Sequence, residues 1–157
     1  RLEVEEAKSA ALNALRKLGW ENLVITSVED FGSYLRVEAV LEENGVRLYP
    51  DKIRMSIARD NGEVIAYDAS AYYAYHHDRD LRPRLSLAQA KAKLRPGLEI
   101  KEQRLAVIPK PGQAEAFCYE FRGTYNDEEF LIYINAQTGA EENIQRILKT
   151  PHGEYLE

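Results

Sequence analysis

The chain has 157 residues, of which 45% are hydrophobic and 30% are charged, and its formal net charge is −5. This composition is typical of a soluble globular protein, and the negative charge disfavours nucleic acid as the main partner because phosphate contacts require a basic surface. No apolar run approaches the roughly 18 residues of a membrane-spanning helix, and the single cysteine excludes an internal disulfide. Because the chain begins at Arg1 and not at a methionine, we expect it to be an excised or processed piece of a protein.

The first half of the chain predicts one amphipathic helix followed by antiparallel strands. Apolar residues return every three or four positions from Val4 to Leu18, which is the period of a helix with one buried face. The period then changes to two over residues 35–41 and 53–57, as expected for strands with one buried face. Asp60-Asn61-Gly62 predicts a tight hairpin before a strand at residues 64–67, because Asn-Gly suits turns whose two central residues have positive φ.

The second half repeats this order of elements. Ser86 is a favourable helix N-cap, with Gln89 three residues later to reach back to it, and Pro96-Gly97 stops the short helix. Alternating apolar residues then predict three strands and a turn into a last strand. The strands lie near residues 105–107, 117–121 and 130–134, and the turn lies at 137–139.

The two halves therefore read as an internal repeat. One constant shift along the chain aligns Ile53, Met55, Ile57 and Gly62 with Phe130, Ile132, Ile134 and Gly139. A slightly larger shift aligns Val4, Ala7 and Ala11 with Leu87, Ala90 and Leu94. We predict an α+β fold of two tandem units, each with one helix packed on an antiparallel sheet and without parallel pairing. The first unit is predicted at residues 1–78, and a linker and the second unit at 79–157, with the linker region itself at about residues 72–85.

No pattern in the sequence predicts catalysis. None of the six serines lies in a Gly-x-Ser-x-Gly motif, and no glycine-rich phosphate loop is present. Adjacent acidic pairs such as Glu42-Glu43 fall at predicted turns or exposed edges. We therefore predict no enzyme activity, no catalytic residue and no cofactor. Cys118 lies in an apolar strand, where a packed thiol is expected and not a nucleophile.

Four residues form the cluster that most resembles a metal site, because imidazoles and carboxylates bind divalent ions. They are His76, His77, Asp78 and Asp80. Adjacent histidines in a strand point to opposite faces, and no third histidine is near in the sequence. We favour a polar linker, with one imidazole bonded to the sheet, over a metal site.

Two features near the linker suggest a surface for a partner protein. Tyr72, Tyr73 and Tyr75 lie close together, and tyrosine is common in interfaces because its body is apolar and its tip is polar. In the basic stretch that follows, Arg84 and Lys91 are candidate contacts for an acidic partner. Each feature also has a structural interpretation: the tyrosines could complete a sheet face or pack between the repeats, and the basic residues could form a solvated helix face.

Several motifs resemble known families. The helix openings Glu-Glu-Ala-Lys and Ser-Leu-Ala-Gln-Ala-Lys, each followed by strands and a terminal hairpin, resemble the PepSY repeat. Six further motifs resemble the C-terminal region of the YpeB family of spore germination proteins along nearly the whole chain. They are Tyr49-Pro50-Asp51, Asp60-Asn61-Gly62-Glu63-Val64-Ile65, His76-His77, Leu85-Ser86-Leu87, Arg104-Leu105-Ala106-Val107-Ile108-Pro109 and Cys118-Tyr119-Glu120-Phe121. Gln137 stands where the family pattern leads us to expect an acidic residue.

The resemblance implies a non-catalytic binding and regulatory module that stabilises, localises and restrains a spore cortex-lytic enzyme of the SleB type. It also implies an extracytoplasmic location, at the outer face of the inner spore membrane or the cortex, with a membrane anchor outside this chain. Because PepSY repeats also accompany secreted proteases, a propeptide-like protease inhibitor is the alternative. The resemblance leaves open the binding surface and the formation of homo-oligomers.

Overall fold

The computed structural model describes all 157 residues, which form three α-helices and nine β-strands. In chain order these are α1 (Val4–Lys17), β1 (Leu23–Asp30), β2 (Tyr34–Glu43), β3 (Val46–Ala58), β4 (Val64–Asp68), α2 (Ser70–Tyr75), α3 (Leu87–Lys91), β5 (Glu99–Pro109), β6 (Glu115–Tyr125), β7 (Glu128–Asn135), β8 (Glu141–Thr150) and β9 (Gly153–Leu156). None of the helices combines the length and the apolar character needed to cross a bilayer.

The chain forms two compact units, and each takes in more than one segment. The first unit comprises Arg1–Glu43, Pro50–His77 and Lys149–Glu154. The second unit comprises Asn44–Tyr49, Asp78–Leu148 and Tyr155–Glu157. The predicted domain boundary between residues 78 and 79 stays a prediction.

In the first unit, α1 packs on the sheet through the predicted apolar stripe. Ala7, Ala11 and Leu15 are buried, and their regular spacing of one helical turn places them on one face of the helix. They share one hydrophobic core with sheet residues that include Val37 and Met55. At the start of the helix, the side chain of its third residue accepts a hydrogen bond from the backbone just before the helix, over 3.1 Å. The predicted helix is confirmed.

The sheet of the first unit has the order β1-β2-β3-β4, and β1–β2 and β3–β4 are antiparallel pairs. The predicted β3–β4 hairpin is present, but its turn differs from the prediction because only Gly62 has a positive φ, of 75°. The Asn61 side chain instead accepts a hydrogen bond from the Glu63 N–H over 3.0 Å, which supports a longer loop. Two consecutive positive φ angles, 51° and 76°, instead occur at Asn44-Gly45, between β2 and β3.

In the second unit, β5, β6, β7 and β8 form an antiparallel meander, and β9 pairs with β8. The helix α3 contributes the fully buried Ala90 to the core of this unit. The predicted cap at its start is present: the Gln89 N–H donates to Ser86 Oγ over 3.1 Å, and the Ser86 N–H donates to Gln89 Oε1 over 2.8 Å. The regular helix ends at Lys91, several residues before Pro96-Gly97.

One strand pair of the second unit is parallel, and the sequence did not predict it. Residues 46–48 of β3 lie parallel to residues 105–107 of β5. Parallel neighbours need a long crossover connection, and here the intervening chain includes α2 and α3. The prediction concerned strands within each half, whereas this pair joins strands from the two halves of the sequence.

The hairpins β3–β4 and β7–β8 have the same register under the constant shift that aligns Ile53 with Phe130. In the first, Met55 pairs with Tyr67, and in the second, Ile132 pairs with Ile144. A bulge interrupts both ladders at the equivalent step, between Ser56 and Ile57 and between Tyr133 and Ile134. The predicted internal repeat is therefore confirmed down to individual strand pairs.

Candidate functional site

The tyrosines predicted to contact a partner lie on α2 of the first unit. The sequence predicted an irregular linker from residue 72, but Ser70–Tyr75 form a short helix. The Asp68 carboxylate starts this helix, because its Oδ1 accepts hydrogen bonds from the Ser70 N–H over 2.8 Å and from the Ser70 hydroxyl over 2.6 Å. Consecutive tyrosines therefore point in different directions around a helix, and they do not alternate across a strand.

Tyr72 is packed, whereas Tyr73 and Tyr75 are accessible. The Tyr72 ring lies edge-on to Trp20 at a centroid distance of 4.7 Å and stacks on the His76 ring at 4.7 Å. Burial, followed by the charge of Asp51, raises the pKa of the Tyr72 hydroxyl. Tyr73 is 74% exposed and Tyr75 is 40% exposed. Tyr72 thus makes the packing contacts that the structural interpretation describes, and contact of the three tyrosines with a partner stays a prediction.

An aromatic cluster, which we define as Trp20, Tyr67, Tyr72 and Tyr73, joins α2 to β4. The Trp20 Nε1–H donates a hydrogen bond to the Tyr67 hydroxyl over 2.6 Å. The Tyr73 ring lies 5.3 Å from that of Tyr72 and 6.1 Å from that of Trp20. Aromatic pairs at such distances favour each other beyond simple burial, so the cluster holds Tyr73 in a defined position at the surface.

The strand β4 carries the exposed apolar residues next to this cluster. All five of its residues are exposed, and Ile65 has 57% of its surface accessible. β4 pairs with β3 and with no other strand. The sequence marked residues 64–67 as the second strand of a hairpin, but it gave no sign that the strand would lie at an edge.

The predicted metal-like cluster is not assembled. His76 Nδ1 lies 2.7 Å from Oδ2 of the fully buried Asp51, whereas His77 Nδ1 contacts the Tyr75 carbonyl oxygen at 2.7 Å. Asp80 forms an ion pair with Arg82 at 2.9 Å. No group of three or more histidine, cysteine, aspartate or glutamate side chains is arranged to hold a metal ion. His76 thus has the bond to the sheet that the polar-linker interpretation described.

The two basic candidates lie in the second unit and are exposed. The backbone N–H of Arg84 donates to the Ala136 carbonyl over 3.0 Å, so its position is set by the main chain, and Lys91 is the last residue of α3. Another basic residue of the stretch, Arg79, forms an ion pair with Glu115 at 2.8 Å and is not available in the same way. A role in binding for Arg84 and Lys91 stays a prediction.

The sequence did not predict a buried cluster around Glu120 in the second unit. The Glu120 side chain is 1% exposed, and its Oε1 accepts hydrogen bonds from the Tyr49 hydroxyl over 2.5 Å and from the Tyr133 hydroxyl over 2.6 Å. Its Oε2 accepts one from Arg104 over 2.6 Å. Burial, followed by the charge of Glu120, raises the pKa of both tyrosines. Each donor fills one of the acceptor positions of the carboxylate. Glu120 and its three partners therefore form a hydrogen-bonded structural network.

One signal could have revealed this cluster. Glu120 lies between apolar neighbours in a strand where Phe117, Tyr119 and Phe121 occupy one face, so Glu120 and Cys118 must share the other face. Cys118 is fully buried there, and burial raises the pKa of its thiol to about 12. This agrees with the predicted packed thiol.

Comparison with known proteins identifies the family. A family model described as YpeB sporulation, PepSY1 and PepSY2 domains, matches residues 1–82. The sporulation protein YpeB of Halalkalibacterium halodurans is 38% identical over 147 residues, which cover 93% of this chain and 33% of that protein. The sporulation protein YpeB of Bacillus subtilis is 34% identical over 150 residues, which cover 94% of this chain and 33% of that protein. The chain thus spans about a third of the length of these curated relatives.

A solved structure agrees with the sequence comparison. The Bacillus megaterium YpeB C-terminal domain superposes with a TM-score of 0.83 at 32% identity, covering 95% of this chain and 67% of that one. The α+β fold, the PepSY units and the family resemblance inferred from sequence are therefore confirmed. The chain belongs to the YpeB family of sporulation proteins.

Proposed function

We propose that this chain is a non-catalytic binding and regulatory module that stabilises, localises and restrains a spore cortex-lytic enzyme of the SleB type. Membership of a sporulation protein family supports a role in the spore. The observation that carries the binding role is the exposed apolar surface of the first unit. There Ile65 and Tyr73 are largely exposed although they lie beside a packed core, and such patches commonly mark sites of protein association.

The two buried carboxylates are poorly placed to act as a catalytic acid or base. Asp51 and Glu120 are the carboxylates buried in the two units, and each is held by bonds within the chain, to His76 and to the Tyr49–Tyr133–Arg104 group respectively. A catalytic acid or base must reach a substrate proton from an accessible position. Both carboxylates instead contribute to the packing of their own unit.

The proposed location is extracytoplasmic, at the outer face of the inner spore membrane or in the cortex. Such a location would bring the module to the enzyme and its peptidoglycan substrate, and membrane anchoring would depend on a part of the protein outside this chain.

The function can be tested with the purified chain, a cortex-lytic enzyme of the SleB type and cortex peptidoglycan. We expect calorimetry to detect a complex, and we expect the chain to slow the release of muropeptides in a saturable way while releasing none itself. Absence of binding and an unchanged enzyme rate would contradict the proposal. Inhibition of a secreted protease acting on casein, with no effect on the cortex-lytic enzyme, would instead favour the propeptide-like alternative.

A further inference from the structure

The edge of β4 in the first unit is open although its sheet face continues the core. Tyr67 and Val64 pair across the ladder with Met55 and Ile57, which are both buried. Residues that pair directly across two strands point to the same face, so Tyr67 and Val64 extend the apolar face formed by β3. They are nevertheless exposed, at 42% for Val64 and 43% for Tyr67, so the core-side face of β4 is only partly covered.

The β4 segment itself carries only negative charges, and Arg54, which lies opposite Asp68 on β3, is paired with Glu38 at 3.3 Å. Residues 60–68 contain Asp60, Glu63 and Asp68 and contain no lysine or arginine, and all three carboxylates are on exposed residues. Exposed edge strands tend to pair with other strands, and charges on the edge select which strands can approach. A second copy of β4 would bring three carboxylates against three others, whereas a segment carrying lysine or arginine would neutralise them.

The aromatic cluster offers an apolar surface that the side chains of an added strand can contact. Tyr67 is fixed by the 2.6 Å hydrogen bond from Trp20, and Tyr73 stands beside Trp20 with most of its surface accessible. When a peptide extends a sheet, backbone hydrogen bonds provide affinity, and contacts with alternate side chains provide specificity. The open edge of β4 and the aromatic cluster belong to the same unit.

We propose that β4 is a docking edge for an extended, basic segment of a partner protein, which adds to the sheet as a further strand. Alternate apolar side chains of that segment would cover Val64, Ile65 and Tyr67, and its lysines or arginines would meet the carboxylates of residues 60–68. The inference rests on the proposed function, since it names the surface by which the module would hold a partner.

Two short synthetic peptides that alternate Val and Thr can probe the edge, one with a Lys at each end and the other with a Glu at each end. At low ionic strength we expect the Lys-ended peptide to bind at least about tenfold more tightly, because charge complementarity selects the partner. The difference should shrink as salt screens the exposed charges. Bound peptide should slow amide hydrogen exchange within Val64–Asp68.

Point variants test the edge directly. Ile65→Lys should lower the affinity of the Lys-ended peptide at least about tenfold, because it replaces an apolar contact with a like charge. Glu63→Lys should reduce the preference for the Lys-ended over the Glu-ended peptide. Ile144→Lys is the matched control, since Ile144 is 44% exposed on β8, the strand equivalent to β4 in the repeat. It should leave peptide binding unchanged. Thermal melts verify that each variant is folded.

Three results would overturn the inference. They are equal affinities for the two peptides, protection confined to amides outside β4, and self-association of the chain that protects Val64–Asp68 without peptide. Failure of the Lys-ended peptide to bind would also count against it. Hydrogen exchange with the cortex-lytic enzyme separates the two proposals: an enzyme that binds without protecting β4 contradicts the docking edge alone, and peptide docking without enzyme binding contradicts the proposed function alone.

Discussion

The two repeats build the same hairpin and then continue it differently. In the first unit β4 ends at Asp68, whose carboxylate bonds to Ser70 and starts α2. In the second unit the equivalent position is Gln145, and β8 continues beyond it. The strand β9 then folds back on β8, and the backbones of Arg146 and Glu157 exchange hydrogen bonds of 3.1 Å and 2.9 Å. A shared register therefore does not determine how a sheet edge is completed.

The units also differ in how they bury a carboxylate. In the first, the fully buried Asp51 lies 2.7 Å from a partly exposed imidazole, His76. In the second, Glu120 has two tyrosines and an arginine as donors. A buried charge costs little when its acceptor sites are filled, and it becomes costly when donors are removed or left unpaired. Loss of the Glu120 carboxylate should therefore be costly for the second unit.

The largest expected effect is the loss of stability when the Glu120 carboxylate is removed. Glu120→Ala removes an acceptor from three buried or partly buried donors, so we expect it to lower the free energy of unfolding by about 3–5 kcal/mol. Glu102→Ala is the control, because Glu102 also contacts Arg104, at 3.0 Å, but is exposed, and such pairs are worth at most about 1 kcal/mol. Urea denaturation measures both. Similar losses in the two variants would contradict a special role for Glu120.

The equivalence of the two hairpins can be tested at their centres. Ile57 and Ile134 occupy matching positions in the repeat, and both are fully buried. Truncation of either to Ala should cost about 2–5 kcal/mol, because it leaves a cavity in a packed core. Denaturant melts should give losses that agree within a factor of about two, the usual spread between sites. A negligible loss at one site alone would break the equivalence.

Alanine variants of Tyr72 and Tyr73 should distinguish a role in packing from a role in binding. Tyr72→Ala should lower the free energy of unfolding by about 1–3 kcal/mol, because the Tyr72 ring contacts Trp20 and His76. Tyr73→Ala should change stability by no more than about 0.5 kcal/mol but weaken association with the cortex-lytic enzyme by more than about 1 kcal/mol. Thermal melts and calorimetry of the same two variants measure the effects. The opposite assignment would place the contact surface elsewhere.

The smallest expected effect concerns the start of α2. Hydrogen bonds from the Ser70 hydroxyl and then its backbone N–H lower the pKa of the Asp68 carboxyl below 3.8. A lowered folded-state pKa means that the cap contributes at a pH above 3.8 and is lost as the pH falls through the folded-state value. Asp68→Ala should therefore speed amide exchange in α2 at neutral pH, and Gln145→Ala, its counterpart, should leave exchange in β8 unchanged. Equal exchange in α2 with and without the carboxylate would contradict the capping role.

Local patterns in the sequence predicted the elements that depend on local chemistry. The spacing of Ala7, Ala11 and Leu15 predicted α1, and Ser86 with Gln89 predicted the capped start of α3. The constant shift between the two halves predicted two hairpins whose registers agree. In each case the decisive residues lie within a few positions of one another or recur in both halves.

The remaining features depend on distant contacts. The α2 segment has only six residues and no buried stripe, so its periodicity could not identify a helix. The parallel pairing of β3 with β5 joins Val46 to Leu105, which are far apart along the chain. Within the buried cluster, Tyr49 reaches Glu120 across 71 positions of sequence. Sequence spacing alone does not show such partners, because tertiary packing brings them together.

Because Cys118 is buried, the modification of its thiol can report on the opening of the second unit. A thiol reagent reacts with the thiolate, and Cys118 is both fully enclosed and held protonated by its raised pKa. Modification therefore requires the surrounding strands to open, and its rate relative to the unfolded chain gives the free energy of that opening. Because the chain has no other cysteine, this chemistry can follow the opening of the second unit while a partner is added, without any engineered label.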